Sequence, residues 1–407
     1  MMSTLVRTEQ RLLRGAAETL DYAAHVDLHG PVALASPQAI LAAIDASGIT
    51  GRGGAGFPTG RKLRSLADTL RPVVIGNGCE GEPASGKDAF LLRRTPHLVL
   101  DGLQVVAHAV GSSEIYLGIA SPAAMRAVEL ALAERVARRV DPVTVRLVRV
   151  VEAFLSGEES ALVGAIENGR ALPRTTPPRV FERGAFGRPT LVQNVETLAH
   201  IALIARYGAG WFRENGTDDD PGTMLVSVSG AVRSPGVAEV DRGASVTDIV
   251  AAAGGFSQSP QAVLLGGYHG TWIDPAAEGF APGAGVVVVL PKSVCGLQES
   301  ARVVTYLAAQ SAGQCGPCLN GLPALAQVFR ELTQPNTSDP LGNAERAWRL
   351  ASVVERRGAC HHPDGTAKFV RSALSVFSAE LDLHAQGGCG GTSAGHVLPT
   401  PGVGGGR

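Results

Sequence analysis

The sequence predicts three architectures in one chain: an α/β domain on a mostly parallel sheet, then a small β-grasp unit, then a helical bundle. Three observations carry this. Strand-like and helix-like stretches alternate through residues 36–215, the pattern of a sheet with crossover helices. The polar linker Asn215-Gly216-Thr217-Asp218-Asp219-Asp220-Pro221-Gly222 then breaks the composition. Beyond Gln298 the apolar period becomes helical.

Taken in order, residues 1–35 read as an N-terminal helical extension with a loose connector. The α/β domain, residues 36–215, opens at Ser36-Pro37, an N-cap with proline at the first helical position. Its strands fall at 72–75, 114–119 and 143–151, and helices at 98–109 and 122–139. In the β-grasp unit, residues 222–292, a strand at 223–229 turns at Ser234-Pro235-Gly236 and returns at 237–240. A helix at 245–253, closed by Gly254-Gly255, leads to a strand at 262–267. The helical domain, residues 296–384, carries helices at 299–310, 322–332, 344–355 and 366–381, with Cys315, Cys318 and Cys360 at their junctions. Residues 385–407 are glycine-rich and read as a disordered tail.

Composition narrows the function classes. A formal charge of −1 with no basic stretch argues against a nucleic-acid binder. Six cysteines in 407 residues do not make a disulfide scaffold and suit metal ligands or free thiols in a reducing compartment. Leu5-Val6 and Leu12-Leu13 are interrupted by Arg7, Glu9 and Arg11, so no signal-peptide core is present, and no apolar run approaches the roughly 20 residues of a membrane span. The expected location is the cytoplasm, peripheral to a membrane complex.

The chemistry begins at Gly51-Arg52-Gly53-Gly54-Ala55-Gly56-Phe57-Pro58-Thr59-Gly60-Arg61-Lys62. Glycines there let main-chain N–H groups approach a phosphate ahead of a helix N-terminus. The letters also fit a dinucleotide fingerprint, but that needs a preceding strand and an acid about twenty residues on. A helix precedes instead, and Arg71-Pro72-Val73-Val74-Ile75 supplies no acid. Asn77-Gly78-Cys79-Glu80-Gly81-Glu82-Pro83, with Lys87-Asp88 behind it, follows a strand end, where open α/β sheets bind ligands. Asn77 suits a flavin edge and Glu80 a proton relay; a solvated polar turn is the plainer reading. In Phe154–Ala161, Gly157 permits close approach and Glu158-Glu159 opens a helix, where acids also simply complement the dipole. Gln193-Asn194 precedes another helix. Cys315-Gly316-Pro317-Cys318 is ambiguous among iron–sulfur cluster, zinc and dithiol chemistry. Histidines 97, 108, 200 and 269 and the tryptophans read as packing or surface residues.

Together these runs resemble the family of NADH-binding flavoprotein subunits of respiratory complex I and its relatives in soluble hydrogenases and formate dehydrogenases. The resemblance spans about residues 36–382 and includes Gly266-Gly267-Tyr268-His269-Gly270. It implies an FMN-binding domain with a Rossmann-like parallel sheet, an SLBB-type β-grasp domain and a helical bundle holding a [4Fe–4S] cluster. Residue by residue it implies cofactor contacts at Gly51, Arg52, Gly53, Gly54, Phe57, Lys62, Asn77, Glu80, Gly157, Glu158, Glu159 and Asn194, catalysis at Glu80, and metal ligation by Cys315, Cys318 and Cys360. The implied reaction moves electrons from NADH through FMN to the cluster and on to a ferredoxin-like or quinone-reductase partner.

The chain departs from the family at three places. Ala312 stands where the first cluster cysteine belongs, leaving a substitute ligand (His361, His362, Cys295 or Cys389), an altered cluster, or merely structural thiols. Ser65 and Arg179 replace two ring-stacking phenylalanines, and Thr176 a lysine. Cys79 replaces an acid and reads as a small buried residue. Two rival readings follow: a flavin bridge that does not use NADH, and a binding module with a vestigial flavin site.

Overall fold

A computed structural model describes residues 10–277, 283–334, 339–392 and 395–402, and the backbone of residues 3–5. The N-terminus supplies β1 (Ser3–Leu5) and, after a loop, α1 (Tyr22–His29). The α/β domain follows as α2 (Pro37–Ser47), α3 (Thr59–Ala67), β2 (Val73–Gly78), α4 (Lys87–Arg94), α5 (Pro96–Val110), β3 (Glu114–Ile119), α6 (Pro122–Arg138), β4 (Val145–Arg149), α7 (Glu159–Asn168), β5 (Thr190–Asn194) and α8 (Val195–Arg213). Its sheet runs β4-β3-β2-β5 with every neighbour parallel. Both faces are covered, as such sheets require. Val74 packs with α5 and α8, whereas Val73 and Ile75 face Leu162 and Val163 of α7. All strands therefore end on one side, at Asn77 and Asn194, which lie paired across β2 and β5.

The second unit carries β6 (Thr223–Gly230), β7 (Gly236–Asp241), α9 (Val246–Ala252), β8 (Pro260–Leu265), β9 (Thr271–Ile273) and β10 (Val286–Pro291). β6 and β10 lie parallel at the centre, with antiparallel β7 and β8 outside them. A capping box at Ser245 and Asp248 starts α9. The helical unit is α10 (Gly296–Ala309), α11 (Leu322–Leu332), α12 (Pro340–Val354), α13 (His362–Val376) and α14 (Ser378–Ala385), wrapped around Leu307, Phe329, Ala351 and Phe369.

Three expectations are corrected, and one strand is added. The N-terminal extension is not purely helical: β1 adds to the second sheet, parallel to β7. Its anchor is the buried Glu239 carboxylate, which accepts from the N–H groups of Arg11, Leu12 and Leu13 at 2.9–3.1 Å. Residues 190–194 form a strand, hidden in the sequence by their polar end. The helix expected at 366–381 breaks at Phe377, whose ring occupies the space over Gly296. The tail is not disordered as far as it is described. Val397 and Leu398 donate their N–H groups to buried Glu299 at 3.0 and 2.7 Å, and the Leu398 side chain enters the helical core.

Candidate functional site

The ends of β2 and β5 open into a cavity of about 250 Å³ walled by all three units. The α/β domain contributes Arg52, Gly53, Asn77, Glu80, Gly157, Glu158 and Asn194; the β-grasp unit adds Gly266 and His269; the helical unit adds Cys360 and His362.

Each side chain is held by a local cause. Asn77 donates to the Gly157 carbonyl at 2.8 Å and accepts from the Cys79 N–H at 3.1 Å, fastening the strand end to the neighbouring loop. A Cβ on Gly157 would stand 2.5 Å from the Cys79 carbonyl oxygen, so only glycine fits that interlock. Asn194 caps α8 by accepting from Glu196 N–H at 3.0 Å and donates to Asp88 at 2.7 Å. Glu158 caps α7 through the Ala161 N–H at 2.9 Å. The glycine loop closes by Gly51 N–H to Phe57 carbonyl, 2.9 Å, and is seated on α8 by Arg52 N–H to Thr197 Oγ1, 2.9 Å.

Behind the wall lies a buried charge cluster. Lys87 is 3% exposed and pairs with Asp88 at 2.7 Å and Glu196 at 2.8 Å. Burial opposes its charge, but the two carboxylates together push its pKa well above the ordinary lysine value. Glu196 also accepts from Leu225 N–H at 2.8 Å, joining the domains. Glu80 accepts from the N–H groups of Asp88 and Ala89 at 3.2 and 3.1 Å, so its carboxylate caps the start of α4. Burial, then Asp88, raises its pKa. Glu82 accepts from Tyr268 N–H at 2.7 Å, and burial pushes its pKa up to about 7. Gly267, with φ +78°, must lack a side chain there: a Cβ would meet a Glu82 carboxylate oxygen at 2.4 Å. Burial lifts the Cys79 thiol to about 12, which keeps it protonated and unreactive.

Gly51, Gly54, Phe57, Lys62 and Glu159 stand outside the cavity lining. Lys62 pairs with Glu159 and donates to the Val192 carbonyl at 2.7 Å. Phe57 is 43% exposed. His269, read from the sequence as a packing or surface residue, and His362, read as a possible cluster ligand, instead meet each other at 3.0 Å beside the Phe154 ring; nothing in the sequence signals that pairing.

Comparison with known proteins decides the family. A model described as the Nuo51 FMN-binding domain matches residues 44–203, an SLBB domain model matches 225–267, and the NADH-ubiquinone oxidoreductase-F iron–sulfur binding region matches 293–384. The second F subunit of the NADH-quinone oxidoreductase of Rhizobium meliloti is 32% identical over 377 residues, covering 86% of this chain and 89% of that protein. The chain belongs to the family of NADH-quinone oxidoreductase F subunits. The F subunit of Aquifex aeolicus is 31% identical over 375 residues, covering 86% of each chain. Among solved structures, an NAD+-reducing [NiFe]-hydrogenase in its H2-reduced state superposes with a TM-score of 0.83 at 28% identity, covering 94% of this chain and 68% of that one.

The cavity fits the flavin that this family carries. It presents Gly53, Gly157 and Gly266 in its wall, two carboxamides with fixed orientation, and the buried Arg52 Nε without a partner among the described residues. Burial draws the Arg52 pKa down to about 10. The thiols fit a cluster in part. Cys315 and Cys318 sulfurs lie 3.5 Å apart. Main-chain N–H groups of Ala359 and Cys318 point at the Cys315 sulfur, and that of His362 at Cys360. None of the proposed substitutes takes up the fourth position. The His361 ring is fully exposed and turned to Asp364 at 3.1 Å. Both ring nitrogens of His362 are engaged, by His269 and by the Leu307 carbonyl. Cys295 and Cys389 gather elsewhere, with Glu380 and His384.

Proposed function

We infer that the protein oxidises NADH at FMN bound in this cavity and delivers the electrons singly to an iron–sulfur centre on Cys315, Cys318 and Cys360. When bound, FMN takes up a hydride and gives back single electrons, and an iron–sulfur centre carries them one at a time. The observation that supports this most directly is the placement of Cys360: one thiol belongs both to the cysteine group and to the cavity wall.

The chain's own residues supply position and electrostatics. Gly53 and the Arg52 guanidinium would hold the phosphate side, with Asn77, Asn194 and the Gly157 loop fixing the ring edge. Lys62 and Glu159 brace that arrangement from outside. Glu80, half-buried with its pKa raised, is the group placed to carry a proton at the wall. Phe154 and the His269–His362 pair close the far side against water. NADH would approach where Phe57 is exposed. The partner is another subunit of a redox complex, with a ferredoxin-like or quinone-reductase acceptor the finer proposal. Among the described residues no helix is long and apolar enough to cross a membrane.

A visible and EPR spectrum of anaerobically purified protein, before and after NADH, tests the reading. Flavin bands that bleach, with a new EPR signal from reduced iron, are the expected result. Folded protein that stays colourless in excess FMN would overturn it.

A further inference from the structure

We propose that Cys295, Glu380, His384 and Cys389 form a second, closed metal centre of the zinc class, separate from the cysteines of the electron path. The four ligand atoms lie within 4.8 Å of one another, and three of the four residues are buried. They come from three places: Cys295 at the N-cap of α10, Glu380 and His384 one turn apart on α14, and Cys389 in the segment after it.

Two distances within the group match edges of a zinc tetrahedron. With zinc bond lengths of about 2.3 Å to sulfur and 2.0–2.2 Å to nitrogen and oxygen, tetrahedral angles set sulfur and nitrogen about 3.6 Å apart and nitrogen and oxygen about 3.4 Å apart. Cys295 Sγ lies 3.6 Å from His384 Nε2, and Glu380 Oε1 lies 3.2 Å from the same nitrogen. The outer contacts also agree. His384 Nδ1 sits 2.9 Å from the Leu332 carbonyl, which can only accept, so Nδ1 carries the proton and the Nε2 lone pair faces the group. Gly390 N–H holds Glu380 Oε1 at 2.7 Å. Main-chain N–H groups of Gln298 and Gly391 point at the two sulfurs.

Two sulfurs, one imidazole and one carboxylate suit a borderline divalent ion and disfavour magnesium or calcium. Four protein ligands leave no open position, so the centre is structural. It would rivet the segment after α14 to the start of α10.

The test uses the full-length protein. Elemental analysis should find one zinc per chain in addition to iron, and cobalt exchanged for it should show thiolate-to-cobalt charge-transfer bands. Cys389→Ser and His384→Gln should each weaken zinc, measured by competition with a chelating dye, by more than the roughly 10–100-fold that an outer-shell loss costs. Flavin and iron content should stay at wild-type level in both. Cys389 is exposed, so its variant folds even where His384→Gln does not. Cys360→Ala should lose iron and keep zinc. Folded wild-type protein that takes up neither zinc nor cobalt overturns the proposal. So does loss of iron and sulfide rather than zinc in Cys389→Ser. Failure of the flavin reading would show instead as absent flavin with zinc intact.

Discussion

Single residues at this site are held by compensation, and removing one partner exposes the other. Lys87 shares its ammonium between Asp88 and Glu196 inside the protein. Lys87→Met should cost about 3–5 kcal/mol in urea unfolding, because it leaves two carboxylates buried without a cation. A cost below about 1 kcal/mol would mean water already reaches the cluster. Phe57 projects a half-exposed ring, with the Arg61 guanidinium 5.8 Å from its centre. If it stacks on the nicotinamide cofactor, Phe57→Ala should raise KM for NADH about 5–150-fold, the equivalent of 1–3 kcal/mol, with kcat and flavin content nearly unchanged. An unchanged KM removes Phe57 from the NADH site. The sequence made Lys62, Asn77, Glu159 and Asn194 visible because each sits in a short run whose letters are themselves informative. It could not show that Lys62 and Glu159 pair with each other, since 97 residues separate them.

At the level of elements, legibility followed the strength of local signals. α11 is bounded by a glycine before it and Thr333 after it, and its apolar spacing marks both ends. β5 had no such signal: its buried Gln193 and cavity-lining Asn194 break the apolar run that marks a central strand. The division of α13 from α14 was also hidden, because Phe377 stops the helix through a contact with Gly296 rather than through proline or glycine. The turn after β8 is governed by Glu82, a residue of another domain. Its pKa is raised from 4.5 to about 7, so the folded state binds this proton more tightly than the unfolded chain. Stability from this group is therefore present at low pH and lost as pH rises from about 4.5 to about 7. Glu82→Gln keeps an oxygen acceptor for Tyr268 but has no titration. The difference in unfolding free energy between variant and wild type should grow across that window and be flat above it; a flat difference throughout would rule out the shift.

Across the whole molecule, the sequence showed three units and their order but not how they are joined. The joints rest on buried or half-buried carboxylates that accept main-chain N–H groups from another part of the chain: Glu196 from β6, half-buried Glu82 from Tyr268, Glu239 from residues 11–13, Glu299 from residues 397–398. Such acceptors leave no mark in composition or period, and a glycine-rich tail reads as unstructured until its partner is known. Leu398, 1% exposed, is the apolar end of the last joint. Leu398→Ala should cost about 2–5 kcal/mol of stability in the helical unit, read from denaturant melts; a cost near zero would mean that the tail does not dock. Near both termini, described segments thus leave their own neighbourhood: residues 3–5 and 11–13 clasp the second sheet, and residues 397–398 return over the first turn of α10. The order of units along the chain is for that reason not their order of attachment. A break in the exposed 217–219 stretch would cut the covalent thread yet spare every one of these clasps, so connectivity here serves assembly of the particle more than its cohesion.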